Sequence, residues 1–400
     1  MARLGVYVDG PYALAPDATG AQRLWCDAAD LPFLTFACAV GEHFDERAVF
    51  ARVQRRAPGA GDPLPADLRV VPLPDFGDLR QTRRLARAAV GTVRGFWRGL
   101  HHVDVVWVFG PHPFAVLLAV LALVRRKRLV LGVRQDTVAY FRARTADGGS
   151  LRTRAVARTL DLSFRLLARV SAATVVGDEL ARRFHARTGR VLPMTVSLMR
   201  ERDLAPAPRV PDGSGTIRLL TVGRVDREKN PLLLIDAVAG LDRLDPGRWH
   251  LTWVGTGPME EAVLEHARAR GVGACVELPG FVPFGPALVA QYRRADVFVH
   301  VSLTEGVPAV LIEAMANGMP VVATAVGGVA TALDGGAAGL LVPPSDLDAL
   351  VDAIRRVACD RDLALALATR GLDIARAHTI DAESARVAAF LGGSPRQTSP

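Results

Sequence analysis

The chain has 400 residues, half of them hydrophobic and 22% charged. That is too long for one hydrophobic core and too apolar for a disordered polymer, so two globular domains are expected. The net charge of +8 is uneven: residues 1–200 hold 30 Arg+Lys against 17 Asp+Glu (+13), and residues 201–400 hold 19 against 24 (−5), so the halves present different surfaces.

In the first half, short apolar runs predict strands near 3–8, 33–39, 68–72, 104–109, 129–133, 172–176 and 193–197. Longer segments at 80–99, 113–125 and 152–169 read as helices. The segment Ala205 to Gly215, rich in Pro, Gly and Ser, reads as a linker. A second alternation follows, with strands at 217–222, 250–254, 275–278, 297–301, 320–323 and 339–342. Helices at 230–241, 258–270, 286–293, 308–317 and 346–358 fall among them. Residues 379–391 read as one more helix, and 392–400 as a disordered tail. Such alternation predicts an α/β chain of two Rossmann-like domains facing a cleft. The expected division is a first domain over 1–204, a linker over 205–215, a second domain over 216–375, and a crossover helix with tail over 376–400.

Other features bear on location. Cys26, Cys38, Cys275 and Cys359 have no paired spacing and read as small buried residues of a reducing compartment. Met1 to Asp9 lacks a signal-peptide pattern. The longest apolar run, Phe114 to Val124, spans about half a bilayer as a helix, so it reads as a buried helix. A cytoplasmic protein is expected. At helical spacing Arg80, Arg84, Arg87, Arg94 and Arg98 share a face opposite Ala86, Val90, Val93 and Trp97. Such a helix is either an ordinary domain helix or one that docks on an anionic membrane surface at the inner face of the membrane.

The chemistry concentrates in the second half. In Glu305-Gly306-Val307-Pro308-Ala309-Val310-Leu311-Ile312-Glu313, two glutamates flank seven uncharged residues. Pro308 suits a first helical turn, which would offer the N–H groups of Gly306 and Val307 to an anion. The plain alternative is a surface helix with an acidic start. Gly223-Arg224-Val225-Asp226-Arg227-Glu228-Lys229 follows a strand, where open α/β sheets bind ligands. Arg224 and Lys229 suit a diphosphate, as a planar fork and a point charge; a solvated loop of internal Arg/Glu pairs is the alternative. Gly255-Thr256-Gly257-Pro258 allows close backbone approach to a ligand. Gly280-Phe281-Val282 could present backbone to a base, and Gly327-Gly328 a further turn. His112, in Gly110-Pro111-His112-Pro113, is either a contact to acceptor or sugar or a helix cap.

From Arg218 to about Val357 these motifs resemble the donor domain of the family 4 retaining glycosyltransferases, of GT-B architecture. The likeness also rests on Ala295-Asp296-Val297-Phe298-Val299, Gly318-Met319-Pro320-Val321-Val322-Ala323-Thr324 and Gly339-Leu340-Leu341-Val342. The resemblance implies a nucleoside-diphosphate sugar donor and no cofactor or metal. Arg224 and Lys229 would hold the diphosphate, Glu305 with Gly306 and Val307 the transferred sugar, and Glu313 the ribose. Gly223, Gly255, Gly257 and Val282 complete the donor set; Glu305, Arg224, Lys229 and His112 are the catalytic candidates.

The first half matches in outline only. It lacks the paired glycines after the first strand between Asp9 and Gly20. Arg134-Gln135-Asp136 stands where His-Asp is usual, and Val196-Ser197-Leu198-Met199 lacks Asn-Gly. The function implied is transfer of a sugar to an acceptor hydroxyl of a glycolipid, polysaccharide precursor or small metabolite. Rivals are an epimerase or sugar phosphorylase of the same architecture, and a non-catalytic nucleotide-sugar-binding module. No contact with nucleic acid is expected.

Overall fold

A computed structural model describes residues 2–17, 20–26, 31–54, 64–65, 67–75, 82–134, 151–177, 180–184, 190–211 and 215–392. The tail 393–400, Arg80, Gln135 and Asp136 lie outside these residues, as do the side chains of Arg84, Ala86, Arg87 and Cys26. The chain divides into two compact units. One comprises residues 1–196 with 380–400, the other residues 197–379.

The elements of the first unit are β1 (Arg3–Pro16), β2 (Gln22–Cys26), α1 (Leu31–Gly41), β3 (Glu46–Gln54), β4 (Arg69–Pro74), α2 (Thr82–Gly99), β5 (Val105–Gly110), α3 (Pro113–Val124), β6 (Arg128–Val133), α4 (Leu151–Leu167), β7 (Ala172–Val176) and β8 (Val191–Met194). The second unit holds β9 (Ile217–Val222), α5 (Pro231–Leu244), β10 (Trp249–Val254), α6 (Glu260–Ala269), β11 (Val276–Gly280), α7 (Pro286–Arg294), β12 (Val297–His300), α8 (Ala309–Ala316), β13 (Val321–Thr324), α9 (Val329–Ala332), β14 (Leu340–Val342), α10 (Leu347–Cys359) and α11 (Arg361–Ala377). The final helix, α12 (Ile380–Leu391), returns to the first unit.

The first sheet runs β4-β3-β1-β5-β6-β7-β8, with β2 antiparallel beside β1 and the other pairings parallel. The second runs β11-β10-β9-β12-β13-β14 and is parallel throughout. In both, the chain leaves its first strand toward one edge and later returns to the other side of that strand. That reversal is the topological switch point of a Rossmann-like sheet, where ligands bind beyond the carboxyl ends of the strands. β12 and β13 are buried along their whole length, as expected of parallel strands covered on both faces.

Several expectations need correction. The run at 33–39 is helix, not strand: α1 packs between the sheet and α12, so Leu34, Phe36, Ala37, Cys38 and Val40 are all buried. A helix buried on nearly every side loses the 3.6-residue periodicity that would reveal it. The strand itself lies at β3, where Arg47, Arg52 and Gln54 interrupt the apolar run. They pair with Asp67 and Asp75.

The stretch after Asp9 is not a loop, because β1 continues to Pro16 and pairs with β2 as a hairpin. α11 was also missed, its pattern broken by Gly371. A Cβ there would stand 2.9 Å from Met315, so the glycine lets α11 approach α8 closely.

The stretch 205–215 is not a free linker over its first half. Ala205 N–H donates to Ala316 O and Arg209 N–H to Gly318 O, both at 2.7 Å. The Arg209 guanidinium donates to the carbonyls of Tyr292 and Ala295. The division therefore falls before Ser197. α12 is tied down by Arg128 Nη2 donating to Phe390 O at 2.9 Å and Arg386 Nη2 to Pro193 O at 2.8 Å. Cys359, expected buried, is exposed.

Candidate functional site

The second unit's switch point lies between β9 and β12. Their register is confined to Leu219 opposite Val297 and Leu220 opposite Phe298, and both strands run on past it into loops. The loop after β9 carries Arg224 and Lys229; the loop after β12 carries Glu305. Across this gap Lys229 Nζ donates to Glu305 Oε1. The same oxygen lies 2.9 Å from His300 Nε2.

Glu305 is thus a nearly buried carboxylate, its side chain 11% exposed, held by an ammonium and an imidazole. Burial pushes its pKa up, but the His300 hydrogen bond and the Lys229 charge outweigh this and bring it down to about 2. It stays ionised at any working pH.

His300 was not singled out from the sequence. The available signal was a lone polar residue ending an apolar strand, at the carboxyl edge where open α/β sheets generally bind ligands. Its ring is buried and lies parallel to Phe298.

The two cations behave differently. Arg224 is half exposed and folds back on Asp226 at 2.9 Å and on Glu228, the internal pairing of an ordinary solvated loop. Lys229 instead crosses to the neighbouring loop. Glu313 is buried, and its Oε2 accepts from Tyr292 Oη at 2.7 Å. Burial pushes its pKa up, and the Tyr292 hydrogen bond offsets this only in part. Pro308 is not in the first turn but is the N-cap, extended at ψ 120°, with the helix starting at Ala309. Gly306 and Val307 therefore belong to the loop before it.

The glycines lace the loops to one another. Gly255 has φ +144°, and a Cβ there would meet Gly223 O at 2.0 Å. At Gly257 a Cβ would meet Val225 O at 2.2 Å. The close approach expected for a ligand is thus made by the adjacent loop, through Val225 N–H to Thr256 O and Met259 N–H to Val225 O, both at 3.0 Å. Leu303 N–H to Glu228 O (2.8 Å) and Gly328 N–H to Gly306 O (2.9 Å) extend the lacing to Glu305. Gly280 O accepts from Gly255 N–H at 2.9 Å, and Val282 packs partly buried on the core.

Gly327 has the tightest fit beside the carboxylate. Its φ is +51°, and a Cβ would stand 2.0 Å from Glu305 O. Gly327→Ala is expected to destabilise the protein by about 2–3 kcal/mol and to lower its thermal midpoint by roughly 5–10 °C. Gly271→Ala, also at positive φ but with nothing within 4 Å, should lose only about 1 kcal/mol. Thermal melts of the two variants measure the difference; equal losses would mean that the Glu305 backbone is not clamped.

In the first unit the switch point lies between β1 and β5. There Asp9 Oδ2 stands 3.5 Å from His112 Nε2, and Asp9 Oδ1 accepts from Tyr7 Oη at 2.9 Å. His112 also caps α3, its Nδ1 accepting from Phe114 N–H at 3.4 Å. Burial lowers its pKa, against the pull of Asp9. Of the two readings offered by the sequence, the geometry shows the helix cap. Arg134 lies with its guanidinium 4.2 Å from the Phe33 ring centre.

Comparison with known proteins fits this geometry. Residues 216–360 match the family model for Glycosyl transferases group 1. A D-inositol 3-phosphate glycosyltransferase of Nocardia farcinica is 38% identical over 149 residues, covering 35% of this chain and 32% of that one. A putative colanic acid biosynthesis glycosyltransferase, WcaL, of Salmonella typhimurium is 31% identical over 140 residues, 34% of each chain. The match thus spans about a third of the length of these curated relatives.

Among solved structures, sucrose-phosphate synthase of Thermosynechococcus elongatus has TM-score 0.70 at 18% identity, covering 98% of both chains. Anabaena HepE in complex with UDP and glucose has TM-score 0.69 at 18% identity, covering 98% of this chain and 99% of that one. The fold is GT-B, and the match to the group 1 model falls on residues 216–360, the stretch whose motifs carry the family 4 resemblance.

Proposed function

We propose that the protein transfers a sugar from a nucleoside-diphosphate donor to an acceptor hydroxyl, with retention at the anomeric carbon and without a metal. The carrying observation is the Lys229–Glu305–His300 cluster at the β9/β12 switch point. A diphosphate seated there would meet Lys229 and, after a side-chain swing, the half-exposed Arg224. These two cations would stabilise the charge that develops on the leaving diphosphate, the part a divalent ion plays elsewhere.

Glu305, ionised and held by His300, faces the reacting sugar and favours the oxocarbenium-like transition state. It is not assigned as a general base; the leaving diphosphate takes the acceptor proton on the same face. Glu313, its carboxyl steadied by Tyr292, serves the ribose. His112 and Asp9 are the acceptor-side or sugar-side candidates. Asp226 Oδ1, Asn230 Nδ2 and Ser302 Oγ are buried at this edge without a hydrogen-bond partner. Such groups call for water or a polar ligand.

The test is turnover. Nucleoside-diphosphate sugars are supplied with polyol, glycoside and lipid-linked acceptors in the presence of EDTA, and the product anomer is read by NMR. The expected product keeps the donor configuration and forms at an undiminished rate. An inverted product, or activity lost to EDTA and restored by magnesium or manganese, would overturn the mechanism. An epimerised donor without acceptor, or a sugar phosphate formed with inorganic phosphate, would replace the reaction class.

A further inference from the structure

The expectation that Phe114 to Val124 is a buried helix holds on only one side. α2, α3 and α4 pack side by side on the first sheet and share one core through Phe96, Leu118 and Phe164. The outer side of this layer is not polar. Thirteen large hydrophobic side chains are exposed among the described residues; eight lie on these helices or the turn after α4, against four on the whole second unit. α3 carries no charge, yet leaves Val120 and Val124 in solvent, the latter 63% exposed. α2 adds Val90 and Trp97, which are exposed together with Arg94 and Arg98 and not on a face opposite them as expected, and α4 adds Leu162 and Leu166.

Arginines fringe this face. Arg94, Arg98, Arg126, Arg158 and Arg169 are exposed, and none has a carboxylate within ion-pair distance among the described residues. Arg125 lies 3.6 Å from the centre of the Trp97 ring and bridges α2 to α3. The one acid on α4, Asp161, is neutralised by Arg165 at 2.5 Å. Eight of the thirteen exposed large hydrophobics on one helical layer is a concentration, unlike the single scattered exposures of an ordinary surface.

We propose that the outer face of the α2–α3–α4 layer docks on an anionic lipid membrane, with Trp97, Val120 and Val124 entering the interface and the arginines holding lipid phosphates. The charge selects this occupant. A second copy meeting the first about a two-fold axis would oppose arginine to arginine, whereas an anionic bilayer offers apolar depth and negative charge together. Trp at an apolar–polar boundary also suits a bilayer interface. No described helix is long and apolar enough to cross a membrane, so the contact is peripheral.

The full chain is floated with vesicles of phosphatidylcholine alone and of phosphatidylcholine mixed with phosphatidylglycerol. Binding is expected to the mixed vesicles only, falling as salt rises. Arg94→Ala/Arg98→Ala should weaken it about thirtyfold. The mixed vesicles should blue-shift tryptophan emission, and Trp97→Phe should abolish that shift. Both sets of changes lie at exposed positions, and unchanged thermal midpoints would show that the variants remain folded. Equal binding to both vesicle types, binding to neither, or a dimer in solution that Val124→Asp dissolves would each overturn the proposal.

Discussion

Glu305→Gln is expected to lower kcat by about 10²–10³-fold while affinity for the bare nucleoside diphosphate stays the same or rises. On the proposed reading the carboxylate faces the reacting sugar, so its loss would be felt mainly in the transition state. In the native protein Glu305 also holds Lys229, and a diphosphate seated there would have to compete with it for that ammonium. A neutral amide releases that ammonium to the ligand. Kinetics with calorimetry on the variant decide the matter. A weakened diphosphate with kcat untouched would remove Glu305 from catalysis and favour a binding module.

The same substitution has an acid signature. The folded pKa of about 2 lies below the ordinary 4.5, so Glu305 contributes stability above about pH 4.5. That stability is lost as the pH falls toward 2. Glu305→Gln should flatten the fall in thermal midpoint over that window; an unchanged slope would mean that the Lys229 and His300 contacts do not persist in solution.

Lys229→Ala should act in the opposite sense on binding. A charge-assisted contact of this kind is worth about 1.5–3 kcal/mol, so affinity for the diphosphate should fall about 10–150-fold. Binding of the nucleoside without phosphates should not change. Lys229→Arg should restore only part of the loss, because a planar guanidinium cannot stand in for a compact ammonium between Glu305 and phosphate. Titration calorimetry with nucleoside and nucleoside diphosphate separates the cases. Equal affinity of wild type and Lys229→Ala for the diphosphate would take Lys229 out of the donor site. The contrast with Glu305→Gln is informative, since disruption of the loop would weaken binding in both variants.

The second unit was legible because its strands are parallel throughout and its β12 and β13 are buried along their whole length. The strands read as plain apolar runs, each followed by a loop of unusual composition: Gly223 to Lys229, Gly255 to Pro258, Glu305 to Pro308, Gly327 and Gly328. The first unit was less legible where polar and apolar residues serve tertiary partners. β3 was hidden by Arg47 and Arg52, whose carboxylate partners lie on other segments. α1 was hidden by being packed on two sides at once.

Within the site, local composition named Lys229, Glu305 and Glu313. It could not say that Lys229 binds Glu305, that Arg224 turns back on Asp226 and Glu228, or that Tyr292 holds Glu313. Those pairings join residues far apart in the chain or choose between near neighbours of equal charge. His300 escaped notice for the same reason, since its role depends on where the chain brings Glu305 after the strand has ended.

By itself the sequence determined the alternation of strands and helices in the second unit, the charge division between the halves, and the residue types at the switch-point edge. Each of these follows from local pattern: apolar period, turn chemistry and the cations and carboxylates placed after strands. Only the tertiary structure decided what the glycines touch, which cation meets Glu305, and which side of the Phe114–Val124 helix is covered. Such facts depend on which distant segment packs against a given face, and a linear pattern records what a residue can bury, not what arrives to bury it.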